Sequence, residues 1–349
     1  MAATDSASAP AQFPSPEPLM QMMQGLQATG ILQAGVELGV FDEIAAGTTD
    51  AVSIAASVQA SERGTRILLD ALTALGLLEK TGEAYGLSPL ADAFLVKARP
   101  TYLGGMLSIM AGEWAWSGYS RLADAVRRGG TLLDEHAETP EHSFWETFAP
   151  ASVGAAAPSS HALADILRPW AEARRPLAVL DIACGSGLFS LTLAEQQDHA
   201  AVTLLDWRPV LDITRGTVER LGLQDRTGYI DGDVFEVPLG GPYDLIIASH
   251  IFHHFSEERC LELLQRLRAA LKPDGKLAIN DFAAASERPD DEPFPRLFSV
   301  IMLTWTREGE AYPVSTYERL LQECGFRPPE LHASPGMPSR FLIASPEST

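Results

Sequence analysis

Three of the eight histidines in the 349 residues fall in one stretch, Ser249-His-Ile-Phe-His-His-Phe255. Histidine titrates near neutrality, so a neutral imidazole here could take a proton from a substrate hydroxyl at cellular pH. His250 and His253, or His250 and His254, are three or four residues apart. That spacing suits two metal ligands on one helical turn, with Asp281 of "AINDF" as a third. Plain packing is the remaining reading. The stretch follows the apolar run "YDLIIA", which places it at the end of a buried strand.

A second group of residues lies upstream in "LDIACGSGLFSLTLA". Asp181, Gly185 and Gly187 fall where a strand turns into a helix, so the backbone can approach a ligand closely there. A dinucleotide fingerprint would want a third glycine, and position 190 is serine. Asp206 closes the next strand, "TLLD", where a carboxylate can accept both hydroxyls of a ribose. Asp233 in "DGDVFE" is expected at the end of the third strand, placed to accept from an adenine amino group. Each of these acids alone could be a cap or a loop residue; their order along the chain points to a nucleoside site.

The elements that must position these groups can be read from periodicity. From Pro176 onward "LAVLDIA", "AVTLLD", "TGYIDGD", "YDLIIAS" and "GKLAINDF" alternate with helical segments, the pattern of an α/β doubly wound parallel sheet. "STYERLLQECGF" and "SRFLIAS" add a last helix and a closing strand. Residues 19–100 read as short helices followed by a strand, a turn at Thr81-Gly82 and a second strand: a winged helix-turn-helix, with Ser61 as an N-cap. Its second helix offers Arg63 and Arg66 against Glu62 and Asp70, which is no basic stripe for DNA. Pairing with a second copy of the chain is the better use of this module. Residues 101–172 form a helical, aromatic-rich linker, in which Trp114, Trp116, Trp145 and Phe148 either line a pocket for a flat ligand or fill a joint. Residues 173–349 are the cofactor-binding domain, and residues 1–18 a flexible Ala/Ser/Pro tail.

The bulk numbers narrow the partners. Twenty-six basic against 46 acidic residues give a net charge of −20, a field that repels nucleic acid and anionic lipid. No apolar run reaches the roughly 18 residues needed to span a bilayer. The three cysteines, Cys184, Cys260 and Cys324, are widely spaced, which argues for a reducing compartment and against structural zinc. A cytoplasmic protein with a small-molecule ligand and neither a nucleic-acid nor a membrane partner is expected.

Taken together, "LDIACGSG", "DWRPVL", "GDVFEVP", "HIFHHFSEERCLELLQRLRAALKPDGKL" and "YERLLQECGF" resemble the S-adenosylmethionine-dependent class I methyltransferases. The likeness is to the dimeric small-molecule O-methyltransferases with an N-terminal winged-helix domain, and it spans Leu19 to Ser345. It implies a Rossmann-like domain, a homodimer formed through the N-terminal domain, and S-adenosyl-L-methionine as cofactor. Asp181, Gly185 and Gly187 would cradle the methionine part, Asp206 and Trp207 the ribose, and Asp233 and Val234 the adenine. Ser249 stands where plant members often have a basic residue touching the cofactor. His253 takes the place of the family's general base, His254 that of an aspartate and Phe255 that of a tryptophan. Asp281 aligns with one acid that orients the base; the second aligns with Ala311 and is missing, with Glu310 one residue away. Trp116, Trp145, Met302, Trp305 and Thr306 are the candidate acceptor contacts, and no metal ligand is assigned. The implied reaction is methylation of a hydroxyl on a small aromatic secondary metabolite. Methylation of carbon, a fold relative with another reaction, and a cofactor-sensing regulator are the rival readings.

Overall fold

The computed structural model describes residues 15–336 and 338–347, and the chain divides into two compact units at Arg99 and Pro100. Residues 1–14 of the expected tail lie outside the described residues. Glu17 and Pro18 already belong to the first helix, since a proline in a first helical turn costs no hydrogen bond.

The N-terminal unit contains α1 (Glu17–Leu38), α2 (Val40–Ala45), α3 (Ala51–Ser57), α4 (Glu62–Ala74), β1 (Leu78–Thr81), β2 (Ala84–Leu87) and α5 (Pro89–Phe94). Gly39, at φ +74°, lets α1 end and α2 begin without a spacer. Asp50 and Ser61 cap α3 and α4 by accepting from the amides of Ser53 and Gly64. Asp70 on α4 accepts from Lys80 and from the Tyr85 hydroxyl at 2.7 and 2.8 Å, which staples the β1–β2 wing to the helix. Leu19, Met20, Met22, Met23 and Leu26 on α1 are more than half exposed, an apolar face without a partner inside the unit.

The second unit opens with α6 (Gly104–Met110), α7 (Glu113–Ser120), α8 (Leu122–Arg128) and the 29-residue α9 (Phe144–Glu172). Then follow β3 (Leu177–Ile182), α10 (Leu188–Gln196), β4 (Ala200–Asp206), α11 (Arg208–Leu221), β5 (Thr227–Asp231) and β6 (Tyr243–Ser249). The rest is α12 (Glu257–Ala270), β7 (Leu271–Asp281), α13 (Pro293–Trp305), α14 (Val314–Glu323), β8 (Glu330–Ala333) and β9 (Arg340–Ala344). The sheet order is β5-β4-β3-β6-β7-β9-β8. Helices cover both faces, α9, α10 and α11 on one and α12 and α14 on the other, so the central strands are buried on both sides and read as apolar runs.

Two features depart from the expected all-parallel sheet. β9 runs antiparallel to both neighbours, and β8, a short strand of sequence "ELHA", was not anticipated. The cause is connection length. Only residues 334–339 separate β8 from β9, enough for a hairpin and too few for a parallel crossover.

The strand order reverses at β3. From β3 the chain winds outward to β4 and β5, then returns to lay β6 and β7 on the other side. Ligands of open α/β sheets sit outside the carboxyl ends of the strands at such a point. The glycine loop after β3 and the histidine turn after β6 are thereby brought to adjacent strand ends, with Ile182 paired to Ala248.

Candidate active site

β6 ends at Ser249, and the next residue, His250, takes a left-handed backbone at φ +54°. Its amide donates to the Asn280 carbonyl at 2.7 Å, which holds this turn against the end of β7. A single 3-10 turn, Phe252–His254, follows, with Phe252 fully buried as its anchor, and Ser256 then caps α12. The turn carries His253 and His254 inward, at 3% and 5% exposure.

His253 Nδ1 lies 2.5 Å from Asp281 Oδ1. The same oxygen accepts from the Phe282 amide at 2.8 Å, and Oδ2 accepts from the Tyr317 hydroxyl at 2.8 Å. Burial pushes the Asp281 carboxyl up, but the electrostatic attraction and hydrogen bond of the adjoining His253 ring outweigh it and hold the group down at about 2. Burial and the facing Asp281 drive Tyr317 well above the ordinary phenol range, so it stays a donor. With Nδ1–H given to the carboxylate, Nε2 of a neutral His253 is a proton acceptor. Tyr317 was not singled out from the sequence. The signal was present: α14 buries Val314, Tyr317, Leu320 and Leu321, and only the tyrosine carries a polar tip on that stripe. Glu310 is exposed and Ala311 buried, so no second carboxylate stands where one would be sought; the phenol of Tyr317 meets Asp281 instead.

The other two histidines are also set by burial. It pushes His250 down to about 4 and His254 well below the ordinary imidazole range, which leaves both neutral. Asn280 Nδ2 lies 3.0 Å from His250 Nε2 and 3.2 Å from Ser249 Oγ. The Nδ1 atoms of His250 and His254 have no partner among the described residues. His250, His253 and Asp281 offer ligand atoms within 4.8 Å of one another, a grouping that could hold a metal ion. Both Asp281 oxygens are already engaged, by three donors in all, so a metal would have to displace at least one of them.

The glycine loop is pinned from beneath. Asp206 Oδ2 accepts from the Gly185 amide and Oδ1 from the Trp207 amide, each at 2.8 Å. Gly185 has φ +55° and Gly187 φ +72°; a Cβ on Gly185 would meet nothing within 4 Å, so the space over the loop is open to a ligand. Asp181 is buried and accepts from Ser190 Oγ at 2.5 Å. Burial raises Asp181 to about 7 and Asp206 to about 6. Asp233 lies two residues past β5 rather than at its end, after Gly232 at φ +131°, and accepts from the Phe235 amide at 2.9 Å. Val234 is buried beside it, and Arg266 donates to its carbonyl. Trp207, partly buried, opens α11.

An aromatic wall stands next to the histidine turn. Trp305 packs against Trp114, Phe144 and Trp145 with ring centroids 4.6, 4.3 and 5.3 Å away, and Met302 is buried in the same cluster. Trp145 meets His254 edge-on at 5.4 Å, and Phe298 meets His253 edge-on at 4.9 Å. Two expected acceptor contacts stand differently. Trp116 makes no ring contact among the described residues, because two helical positions turn it away from Trp114, the residue that joins the wall. Thr306 is fully buried and its hydroxyl is committed, donating to the Met302 carbonyl and accepting from the Gly309 amide, each at 2.8 Å. Gly309 itself was missed: a Cβ there would stand 2.3 Å from the His253 carbonyl oxygen.

Comparison with known proteins places this geometry in a family. The chain matches the O-methyltransferase domain over residues 159–327 and the O-methyltransferase dimerisation domain over residues 20–97. It is 30% identical over 326 residues to acetylserotonin O-methyltransferase of Mus musculus, covering 88% of this chain and 83% of the relative. It is 29% identical over 342 residues to 3-hydroxy-5-methyl-1-naphthoate 3-O-methyltransferase of Streptomyces sahachiroi, covering 93% of each. Among solved structures, a Nostoc punctiforme protein assigned as an O-methyltransferase superposes with a TM-score of 0.89 at 31% identity, over 95% of this chain and 99% of that one. Human N-acetylserotonin methyltransferase in complex with S-adenosylmethionine superposes with a TM-score of 0.82 at 24% identity, over 98% and 100%, which shows the common fold. The chain belongs to the O-methyltransferase family, the S-adenosylmethionine-dependent enzymes of the class I fold.

Proposed function

We propose that this enzyme methylates a hydroxyl of a small aromatic acceptor, with His253 as the general base. The observation that carries the reading is the buried chain Tyr317–Asp281–His253, which fixes one imidazole nitrogen and leaves the other for the acceptor. Asp281 holds the ring orientation and favours the tautomer with hydrogen on Nδ1. His253 Nε2 removes the hydroxyl proton as the oxygen commits to attack. S-adenosylmethionine, when bound, supplies an activated methyl group, so alignment and exclusion of water are the larger part of what the chain adds. The loop Asp181–Gly187 fits the methionine part and Asp206 with Trp207 the ribose. Asp233 and Val234 fit the adenine edge, and Ser249, which closes β6, would contact the cofactor. Trp114, Trp145, Met302 and Trp305 form the apolar wall for the acceptor. The name of the Streptomyces sahachiroi relative specifies a hydroxyl on a naphthoate, and a fused aromatic acceptor suits four such residues. The dimerisation domain and the exposed α1 face support a homodimer, and three free thiols suit a cytoplasmic setting. Among the described residues no helix is long and apolar enough to cross a membrane.

His253→Ala tests the base. With acceptors drawn from hydroxynaphthoates and hydroxyindoles, methyl transfer should fall by about 10²–10⁴-fold while cofactor affinity holds. Turnover within a few-fold of wild type would refute the role. The grouping of His250, His253 and Asp281 favours metal-assisted methylation of carbon as the second reading. Metal analysis of the purified protein, with chelator in the assay, separates the two.

A further inference from the structure

The loop from Asp233 to Val237 is closed twice over. Its own backbone makes one turn: the Glu236 and Val237 amides donate to the Asp233 carbonyl, each at 2.9 Å, and the Phe235 amide donates to Asp233 Oδ1 at 2.9 Å. The second closure comes from α12. Arg266 Nε donates to the Val234 carbonyl at 3.0 Å and Nη2 to the Val237 carbonyl at 2.6 Å, so one planar fork spans the loop. Two turns earlier on the same face of α12, the guanidinium carbon of Arg259 lies 3.6 Å from the centre of the Phe235 ring. Arg226 also gives bonds to backbone carbonyls, but those belong to Ala194, Gln197 and Ala200, at the amino end of β4. Arg266 instead grips the segment that bears Asp233, just past the carboxyl end of β5, on the ligand side of the sheet.

We infer that Arg266 is a positioning residue for the cofactor's base: by fixing the Asp233 loop it makes the site select adenine over other purines. The inference rests on the proposed pairing of Asp233 with the adenine edge. Adenine presents an N–H on its exocyclic amine. Hypoxanthine carries an oxygen there and its N–H on the neighbouring ring atom. A carboxylate held in place accepts from the first base and opposes the oxygen of the second, whereas one free to swing can follow the N–H to its new position. Discrimination between the two bases therefore depends on how firmly the loop is held, and Arg266 supplies that firmness from outside the site.

Calorimetric titration of the full-length enzyme with S-adenosylhomocysteine and with S-inosylhomocysteine, which differ only in the base, tests this without turnover. In the wild type the adenosyl compound should bind at least about tenfold more tightly, the worth of one hydrogen bond to a charged group. Arg266→Met keeps the apolar stem and removes both donors. Its affinity for the adenosyl compound should fall until the two ligands come within about threefold of each other. A ratio intact in Arg266→Met would overturn the inference, because a merely structural arginine weakens both ligands alike. Equal affinities in the wild type would also overturn it, through the pairing of Asp233 on which it rests. Asp233→Ala tells the two failures apart: a ratio lost there but intact in Arg266→Met leaves the adenine reading standing and removes the role of the arginine. If Arg266→Met does not fold, Arg266→Lys, which lacks the planar fork, is measured in its place; its ratio should be lower than that of the wild type, and an unchanged ratio overturns the inference.

Discussion

Gly309 offers the sharpest test of how closely His253 must be held. An alanine Cβ at this position would lie 2.3 Å from the His253 carbonyl oxygen and 2.8 Å from the His254 carbonyl carbon, both backbone atoms without rotamers to escape through. Ordinary contact begins at 3.4 Å, so something must yield by about 1.1 Å. The segment that carries Gly309 is tied down: Arg307 N donates to Glu138 at 2.8 Å, Gly309 N to Thr306 at 2.8 Å and Ala311 N to Ser299 at 3.2 Å. The clash falls on the histidine turn's own backbone, so relief by a shift of that turn would take His253 with it. A displacement on the order of 1 Å from reacting geometry costs about 10²-fold in rate. Overpacking of this kind should also cost roughly 1–3 kcal/mol of stability. The assay is steady-state methyl transfer for wild type and Gly309→Ala, with urea unfolding and cofactor titration alongside. The expected result is a fall in kcat of about 10²-fold with cofactor Kd unchanged, since no atom of the glycine loop is involved. A kcat within a few-fold of wild type in a folded variant would refute the argument that this contact positions the base.

Further outcomes follow from the same geometry. Tyr317→Phe keeps the ring but removes a donor to a buried carboxylate; about 1.5–3 kcal/mol of stability should be lost. The remaining carboxylate becomes more basic toward His253, so the acid limb of kcat/KM should move to higher pH; a profile that stays put would make the tyrosine purely structural. Asp206 sits at about 6, above its ordinary 3.8, so its favourable contribution is present below 3.8 and is lost as pH rises through about 6. Relative to Asp206→Asn, the wild-type stability should therefore decline between pH 4 and 7, and a pH-independent difference would contradict the shift. Introducing Glu at both Met22 and Leu26 should convert a dimer into a monomer by light scattering, and an unchanged mass would show that this face is not the interface.

The parallel strands, the glycine turn, the wing and the acids along β3 to β5 were legible in the sequence because each follows from local pattern: apolar runs, positive-φ glycines, turn pairs. The pairing of His253 with Asp281 was legible only through resemblance, since the residues lie 28 positions apart and meet through the register of β6 and β7. Tyr317 and Gly309 escaped notice for different physical reasons. Tyr317 looks like any core aromatic until its hydroxyl is seen to reach a carboxylate, and Gly309 has no positive φ to mark it, only a close approach of distant backbone. Trp116 stands apart from the ring cluster and Thr306 is engaged by backbone, which composition alone does not reveal because it depends on side-chain direction.

The tips of β6 and β7 carry the histidine and its carboxylate, whereas the tryptophans come from α7, α9 and α13, outside the sheet. On the proposed roles, such a division would let selectivity drift without disturbing proton transfer. Exchange of those three helices among relatives should redirect which compound is methylated while the strand tips remain as they are, a route by which one scaffold could serve many biosynthetic pathways.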